Sequence, residues 1–148
     1  IVKIKVVERD PVLVWQSQDK MYLLDSEGYA YKEIASDAPV VQSLKKVIDG
    51  SNVPVNKDQP VVSSEFIDFV RELISSLPGA VNLKVKDITI HHTTFQLEVV
   101  TEGGPLLKFA TDRALASQLD VLKLVLNEKK EQIKEYVDLR VEGYVYYK

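Results

Sequence analysis

The sequence predicts an α+β fold in which a mostly antiparallel β-sheet packs against two main amphipathic helices. Three observations favour this class. Several short segments alternate between apolar and polar residues, two longer segments repeat apolar residues at helical spacing, and the segments run in the order strands, helix, strands, helix, strand. With 148 residues, of which 45% are hydrophobic and 28% charged, the chain has the length and composition of one globular domain.

Short strands are predicted in the first third of the chain. Residues 2–6 alternate valine or isoleucine with lysine, and Asp10-Pro11 ends this strand because proline cannot donate a hydrogen bond to a sheet. A type I turn is predicted at Asp25–Gly28, with aspartate first and glycine fourth. Further strands are predicted at residues 12–15, 21–24 and 29–34.

The first predicted helix follows a surface loop at residues 49–63, which contains a glycine, two prolines and two asparagines. Ser64 is expected to cap the helix and Pro78-Gly79 to end it. The apolar stripe of this helix consists of Phe66, Ile67, Val70, Leu73, Ile74 and Leu77.

Strands return after this helix, and a second helix follows them. The apolar positions change from odd to even at Lys86-Asp87, which predicts a bulge or a break between strands. His91–Thr94 is the predicted turn before the next strand. The second helix is predicted from about Arg113 to Lys130, with Asp112 as its cap. The strands between turn and helix are predicted at residues 95–99 and 106–111.

The clearest alternation in the chain runs from Tyr136 to Lys148 and predicts one long strand. Its odd-numbered residues, Val141 among them, form the dry face and its even-numbered residues the wet face. Asp138 and Arg140 share the wet face, so they can pair with each other or with neighbours across the sheet. Tyr144 and Tyr146 on the same face suit a protein interface. They suit an ordinary solvated surface equally well.

Composition and motifs exclude several kinds of site. Without cysteine the chain has no disulfide, no Cys-ligated metal and no thiol nucleophile. A net charge of −3 without a basic stripe argues against a nucleic-acid partner. The apolar runs are far shorter than the roughly 20 residues that a membrane span needs. No glycine-rich phosphate loop is present, so no cofactor is expected.

Catalytic chemistry finds little support in the sequence. His91 and His92 are the only histidines, and adjacent residues in extended chain point to opposite faces, so the two chelate one metal poorly. No G-x-S-x-G elbow carries a serine nucleophile. The sequence therefore predicts a protein that is not an enzyme. A small hydrolase that uses His91 or His92 remains a remote alternative.

Three motifs resemble the β-domain of FtsQ/DivIB-type cell-division proteins. Val7–Val12 followed by Trp15 resembles the opening of that domain, and Leu24–Gly28 resembles its "L-D-x-x-G" turn. Tyr136–Arg140 resembles its "Y-V-D-L-R" strand. Each motif alone is weak. Together they occur in the order and at the spacing of the family and span nearly the whole chain.

This resemblance implies a non-enzymatic scaffold that helps to assemble the septum. The family consists of single-pass membrane proteins in which a POTRA domain and then the β-domain follow the membrane helix on the extracytoplasmic side. The resemblance therefore implies that residues 1–10 are the last strand of an upstream POTRA domain and that residues 11–148 are the β-domain. Because the chain begins with Ile1 in a strand-like run, we expect it to be a piece of a longer protein.

The resemblance also implies partners of the FtsB/DivIC and FtsL types, which pair with the last strand of the domain. An open sheet edge can accept such a strand. Some relatives have an aromatic residue where this chain has Val141, and Tyr144 and Tyr146 could supply that contact instead. His92 has only a weak claim to lie near this edge. The expected partner-binding residues are Arg140, Val141, Glu142, Gly143, Tyr144, Val145 and Tyr146.

Other modules would also use an exposed edge. A POTRA-type transport or assembly module and a peptide-binding chaperone domain are therefore alternatives to the division scaffold.

Overall fold

The computed structural model describes residues 1–4 and 9–148. Within these residues nine strands form one sheet in the order β3-β2-β1-β4-β5-β6-β7-β8-β9. Five neighbouring pairs are antiparallel, and the pairs β1–β4, β4–β5 and β7–β8 are parallel. The predicted α+β class with a mostly antiparallel sheet is confirmed. The elements are β1 (Leu13–Ser17), β2 (Lys20–Leu24), β3 (Ala30–Ile34), α1 (Val40–Ser43), β4 (Lys46–Asp49), α2 (Ser64–Val81), β5 (Val85–Ile90), β6 (Gln96–Thr101), β7 (Leu106–Ala110), α3 (Leu115–Lys129), a 3₁₀ turn (Lys130–Gln132), β8 (Tyr136–Asp138) and β9 (Tyr146–Tyr147).

The three strands predicted for residues 12–34 are confirmed as the meander β1–β2–β3. The turn predicted at Asp25–Gly28 is confirmed by a hydrogen bond from the Gly28 N–H to the Asp25 carbonyl oxygen, at 3.1 Å. Gly28 has a φ of 88°, and a Cβ there would collide with the carbonyl of Val62. Only glycine therefore fits where this turn meets the loop before α2.

The predicted strand at residues 2–6 lies partly outside the described residues. The described residues Ile1–Ile4 contain no regular secondary structure. The assignment of residues 1–10 to an upstream domain stays a prediction.

Helix α2 differs from its prediction at both ends. Ser63, not Ser64, is the cap, and its Oγ accepts a hydrogen bond from the Phe66 N–H at 3.2 Å. The helix continues past Pro78 to Val81, and the cap residue Asn82 closes the last turn with a left-handed φ of 56°. Pro78 has no N–H to donate to the Ile74 carbonyl, so the helix lacks one hydrogen bond three residues before its end.

Two short elements between residues 40 and 49 were not predicted. The apolar residues from Val40 to Ile48 show no clean period, so the sequence does not distinguish α1 from β4. Strand β4 lies between β1 and β5 and pairs with both in parallel. Only these partners, distant in sequence, define it as a strand.

The middle of the chain matches its prediction more closely. The bulge predicted at Lys86-Asp87 is confirmed, because the register of β5 against β6 shifts between Val85 and Asp87. The turn predicted at His91–Thr94 is confirmed as the β5–β6 hairpin.

Helix α3 begins at Leu115, two residues later than predicted, and Asp112 does not cap it. The buried side chain of Gln118 instead joins this helix to β7. Its Oε1 accepts from the Ala110 N–H at 2.9 Å, and its Nε2 donates to the Ala110 carbonyl at 2.8 Å. The amide thus binds both backbone groups of Ala110 at the end of β7.

One hydrophobic core lies between α2, α3 and the sheet. Trp15 is buried in this core. The strand registers align core residues of neighbouring strands into one continuous row. This row consists of Tyr22, Trp15, Val47, Ile88, Val99, Leu107, Val137 and Tyr147.

Candidate protein-docking edge

The chain reverses direction after Arg140, so the prediction of one long strand from Tyr136 to Lys148 is wrong. Strand β8 ends at Asp138, and β9 folds back to pair with it in antiparallel. Gly143 makes the reversal possible with a φ of 76°. The Tyr144 N–H donates to the Val141 carbonyl at 3.2 Å and closes the turn. The flank of β8 is therefore covered by this chain's own last residues.

The register explains why alternation did not reveal the hairpin. Val137 pairs with Tyr147 and Asp138 with Tyr146, so each pair joins residues of the same parity. Odd-numbered residues thus stay on the core face on both sides of the turn. A straight strand would show the same pattern.

The predicted position of Val141 on the dry face is also wrong. The long-strand prediction placed its side chain on the dry face, but it is 48% exposed. It lies in the turn, where the alternation of a strand no longer applies.

Arg140 is held by an ion pair that the sequence predicted as one of two possibilities. Its Nε donates to Asp138 Oδ1 at 2.9 Å and its Nη2 to Oδ2 at 2.7 Å. Its Nη1 donates to Gln96 Oε1 at 2.9 Å. Three donors of one guanidinium are therefore bound, which fixes the direction of the side chain.

The ion pair shifts both pKa values. Partial burial acts to raise the pKa of Asp138, but the hydrogen bonds and positive charge of Arg140 outweigh it and hold the pKa below its ordinary value. The hydrogen bond from Asp138 raises the pKa of Arg140 further. Both groups are charged over the whole neutral range.

A shallow cavity of about 300 Å³ lies beside Arg140 at the end of the β5–β6 hairpin. His92 and Arg140 both line this cavity, so His92 lies near the terminal hairpin, which the sequence supported only weakly. The contact between Gln96 and Arg140 was not predicted, because the two residues are 44 positions apart and no local pattern connects them. The lining residues are His91, His92, Thr93, Gln96, Leu97, Glu98 and Arg140.

The two histidines of this cavity lie beside a carboxylate and a lysine. His91 Nε2 lies 2.9 Å from Glu98 Oε2, and Glu98 Oε1 lies 3.6 Å from Lys108 Nζ. The rings of His91 and His92 are 6.4 Å apart. Among the residues that line the cavity, Thr93 carries the only hydroxyl. Within the described ranges no group of three or more His, Asp or Glu residues could hold a metal ion.

Tyr144 and Tyr146 stand out into solvent. They are 66% and 52% exposed, and their rings stack with centroids 6.5 Å apart and planes inclined by 15°. The stacking places both rings on one face of the terminal hairpin. Large exposed aromatic rings of this kind are typical of protein interfaces.

The outer edge of β9 carries unpaired backbone groups. Tyr136 and Lys148 exchange two hydrogen bonds, at 3.2 and 3.1 Å, so they form a hydrogen-bonded pair of the antiparallel ladder. Such pairs alternate with non-hydrogen-bonded pairs. The N–H and C=O of Tyr147, and by the same alternation those of Val145, therefore point away from β8. β9 is the last strand of the described sheet.

On the face of the sheet opposite the core, a row of side chains leads to the β9 edge. The strand registers align a polar row that alternates in charge and ends at an exposed ring. It consists of Thr89, Glu98, Lys108, Asp138 and Tyr146.

Comparison with known proteins identifies the family. The model of the family described as "Cell division protein FtsQ/DivIB, C-terminal" matches residues 13–140. The chain belongs to the FtsQ/DivIB family. The resemblance inferred from the three motifs is confirmed. The match ends at Arg140, so it includes the "Y-V-D-L-R" strand but not the turn or β9.

Two curated relatives are proteins named "Cell division protein FtsQ". The protein from Chloroflexus aggregans is 32% identical over 140 residues, and that from Chloroflexus aurantiacus is 27% identical over 140 residues. Each alignment covers 93% of this chain and 48% of the relative. The chain thus spans about half the length of the curated relatives it matches.

A solved structure is also similar. It is the major extracytoplasmic domain of the trans isomer of DivIB from Geobacillus stearothermophilus, with 13% identity, a TM-score of 0.43, and coverage of 87% of this chain and all of that one. Identity and TM-score are both low, so the family assignment rests on the family model. No helix in the described part of the chain has the length and hydropathy of a membrane span.

Proposed function

We propose that this domain is a non-enzymatic scaffold of the bacterial divisome, anchored through an upstream membrane helix and exposed on the extracytoplasmic side of the cell membrane. It binds division proteins of the FtsB/DivIC and FtsL types by strand addition. The observation that carries this proposal is the outer edge of β9, where backbone groups of Val145 and Tyr147 point outward beside two exposed tyrosine rings. Membership of a cell-division family supports it.

The hairpin changes how the expected binding residues act. β8 is already covered, so the added strand pairs with β9. Val145 supplies backbone groups, and Tyr144 and Tyr146 supply side-chain contacts. Arg140 lies at the base of the hairpin and borders the cavity. Val141, Glu142 and Gly143 form the turn, which can contact the partner only through side chains and exposed backbone.

Replacing Val145 with proline tests strand addition. Proline removes the outward N–H that would donate a hydrogen bond to a carbonyl of the partner. It leaves the bonds between β8 and β9 in place. A buried acceptor without its donor costs about 1–3 kcal/mol. We expect Val145→Pro to bind the FtsB/DivIC-type ectodomain from the same organism roughly 5- to 150-fold more weakly than the control, measured by isothermal titration calorimetry.

The control is Val145→Ala, which loses the same side chain and keeps the N–H. Circular dichroism and thermal unfolding establish that both variants are folded. Equal affinity of Val145→Pro and Val145→Ala would contradict strand addition at β9. Proline at Gly143 is unsuitable, because its φ of 76° excludes proline and the turn itself would be lost.

A further inference from the structure

We propose that a small cavity under the loop before α2 binds an ammonium group, carried either by a small alkylamine or by a lysine side chain. Trp15 and Asp49 form the floor of this cavity. Trp15 belongs to the first of the three family motifs, and the proposed scaffold function does not involve it. The cavity lies at β1 and β4, and the strands β5 to β8 separate it from the β9 edge. The proposal is therefore independent of strand addition.

The cavity has a volume of about 150 Å³ and opens to solvent. Its floor is buried, because Trp15 and Asp49 are only 3% and 4% exposed. The exposed residues Val53, Asn56 and Gln59 form its mouth. Cavities of this size hold organic molecules of about six heavy atoms. The cavity therefore admits a small ligand or the end of one side chain.

Strand register brings Trp15 and Asp49 together. β1 and β4 are parallel, and Trp15 lies beside Val47. Because side chains two positions apart in a strand share a face, Asp49 lies on the same face as Val47 and Trp15. The loop after β4 crosses this face, where the Ser17 hydroxyl donates to the Val53 carbonyl at 2.6 Å. This hydrogen bond holds Val53 at the mouth of the cavity.

Asp49 is a buried carboxylate whose hydrogen-bond donors in the described structure are all neutral. Its Oδ1 accepts from the N–H and the hydroxyl of Ser51, and its Oδ2 accepts from the Val53 N–H at 3.2 Å. No ion pair within residues 1–4 and 9–148 includes Asp49. A buried charge is costly without an opposite charge beside it. A cation in the cavity would supply that charge.

The remaining wall favours an ammonium group over a metal ion. A metal ion such as Ca²⁺ requires about six to eight oxygen ligands. Asp49 is the only carboxylate among the described residues that line the cavity. An alkylammonium needs one carboxylate for its charge and an apolar wall for its stem, which Trp15, Pro60 and Val61 supply. The indole ring also attracts a cation that binds beside it.

Trp15 is the only tryptophan of the chain, so its fluorescence reports directly on this cavity. We expect n-butylammonium chloride to change the emission saturably, with a dissociation constant of roughly 1–10 mM at constant ionic strength. The alcohol 1-butanol has the same size and no charge, so it should bind at least about tenfold more weakly. Equal binding of the alcohol would indicate a purely apolar cavity and overturn the proposal.

Asp49→Asn removes the charge and should weaken the binding of n-butylammonium at least about tenfold. The control is Asp58→Asn, which makes the same change at an exposed carboxylate of the same loop and should leave the affinity unchanged. Circular dichroism establishes that both variants are folded. Unchanged affinity of Asp49→Asn overturns the proposal.

A second variant keeps the carboxylate, because Asp49→Asn also disturbs the acceptor of the Val53 N–H. Val53 is 58% exposed, and both of its hydrogen bonds to this site use its backbone. Val53→Phe therefore places a ring at the mouth of the cavity and leaves these bonds in place. It should weaken binding at least about tenfold, since the ring occupies the space that the amine needs. Unchanged affinity of Val53→Phe overturns the assignment to this cavity.

A lysyl peptide distinguishes the two sources of the ammonium group. Acetyl-Gly-Lys-Gly-amide carries the ammonium on the same four-carbon stem as n-butylammonium. Binding at least as tight as that of n-butylammonium supports the proposal with a lysine side chain of a protein as the occupant. Binding of n-butylammonium alone supports it with a free amine. If neither compound changes the Trp15 emission, the proposal is wrong.

Discussion

Arg140 shows how single residues orient the terminal hairpin. Its guanidinium is bound by Asp138 on its own segment and by Gln96 on β6. The Arg140 N–H also donates to Asp138 Oδ1, at 3.1 Å, so the carboxylate holds both backbone and side chain. Asp138 thereby fixes the point at which the chain leaves β8 and turns toward β9.

Asp138→Asn should destabilise the domain. The change removes the charge that binds Arg140, and hydrogen bonds to charged groups contribute about 1.5–3 kcal/mol each. Because Asp138 and Arg140 are partly accessible to solvent, we expect a loss near the lower end, about 1–2 kcal/mol at pH 7, measured by urea denaturation. Asp120→Asn, at an exposed carboxylate on α3, is the control and should change the free energy of unfolding by less than about 0.5 kcal/mol.

The same pair makes stability depend on pH. The pKa of Asp138 is lower in the folded protein than in the unfolded chain, so the ionised form favours folding. This contribution is fully present above the unfolded pKa of about 3.9 and is lost as the pH falls through the lower, folded value. The difference in unfolding free energy between the natural chain and Asp138→Asn should therefore shrink below about pH 4. A difference that grows on acidification would show that the pair does not stabilise the fold.

At the residue scale the sequence reveals only what is local. Asp138 and Arg140 are two positions apart in a strand, which puts both on one face, so their pairing could be predicted. Gln96 of β6 bonds Arg140, and His92 lines the same cavity; the distance in sequence hides both relations.

Among the elements, α2 shows how closely local chemistry defines a helix end. Ser63 and Ser64 are adjacent and chemically identical, but only Ser63 has the extended backbone of a cap and bonds the Phe66 N–H. The hydroxyl of Ser64 contacts only the carboxylate of Glu65, at 3.4 Å. Sequence alone could not choose between the two serines.

Ser63→Ala should therefore cost about 1 kcal/mol of stability, as is usual for the loss of an N-cap. Ser64→Ala should change it by only a few tenths, because Ser64 occupies the first turn without capping it. Chemical denaturation of the two variants side by side measures the difference. A larger loss for Ser64→Ala would mean that the helix begins one residue later.

The terminal hairpin shows the limit of periodicity as a signal. Alternation reports the face of each residue and not the direction of the chain, and this register keeps parity across the turn. Gly143 lies within the predicted strand, and in the structure it adopts a left-handed φ of 76° at the turn.

The whole molecule is organised around one row of core side chains that crosses eight strands. Ile88 lies in this row between Val47 and Val99 and is completely buried. Phe95, only seven residues away, is 62% exposed at the tip of the β5–β6 hairpin. Hydrophobicity alone would have ranked Phe95 as the better core residue.

Ile88→Ala should destabilise the domain by about 2–5 kcal/mol, because it leaves a cavity in the centre of the sheet. Phe95→Ala should stay within about 0.5 kcal/mol, since the ring contributes little buried area. Thermal unfolding followed by circular dichroism can rank both against the natural chain. Comparable losses would mean that the hairpin tip packs into the core.

The sequence by itself determined the α+β class, the meander of the first three strands, the stripe of α2 and the family, because these depend on local periodicity, turn residues and short motifs. Tertiary structure alone decided that β4 is a strand between β1 and β5, that Gln96 meets Arg140, and that the chain closes its own β8 edge. Each of these depends on backbone or side-chain partners far apart in the chain or on the direction of a turn. The alternation of apolar and polar residues encodes neither the distant partners nor the direction of a turn.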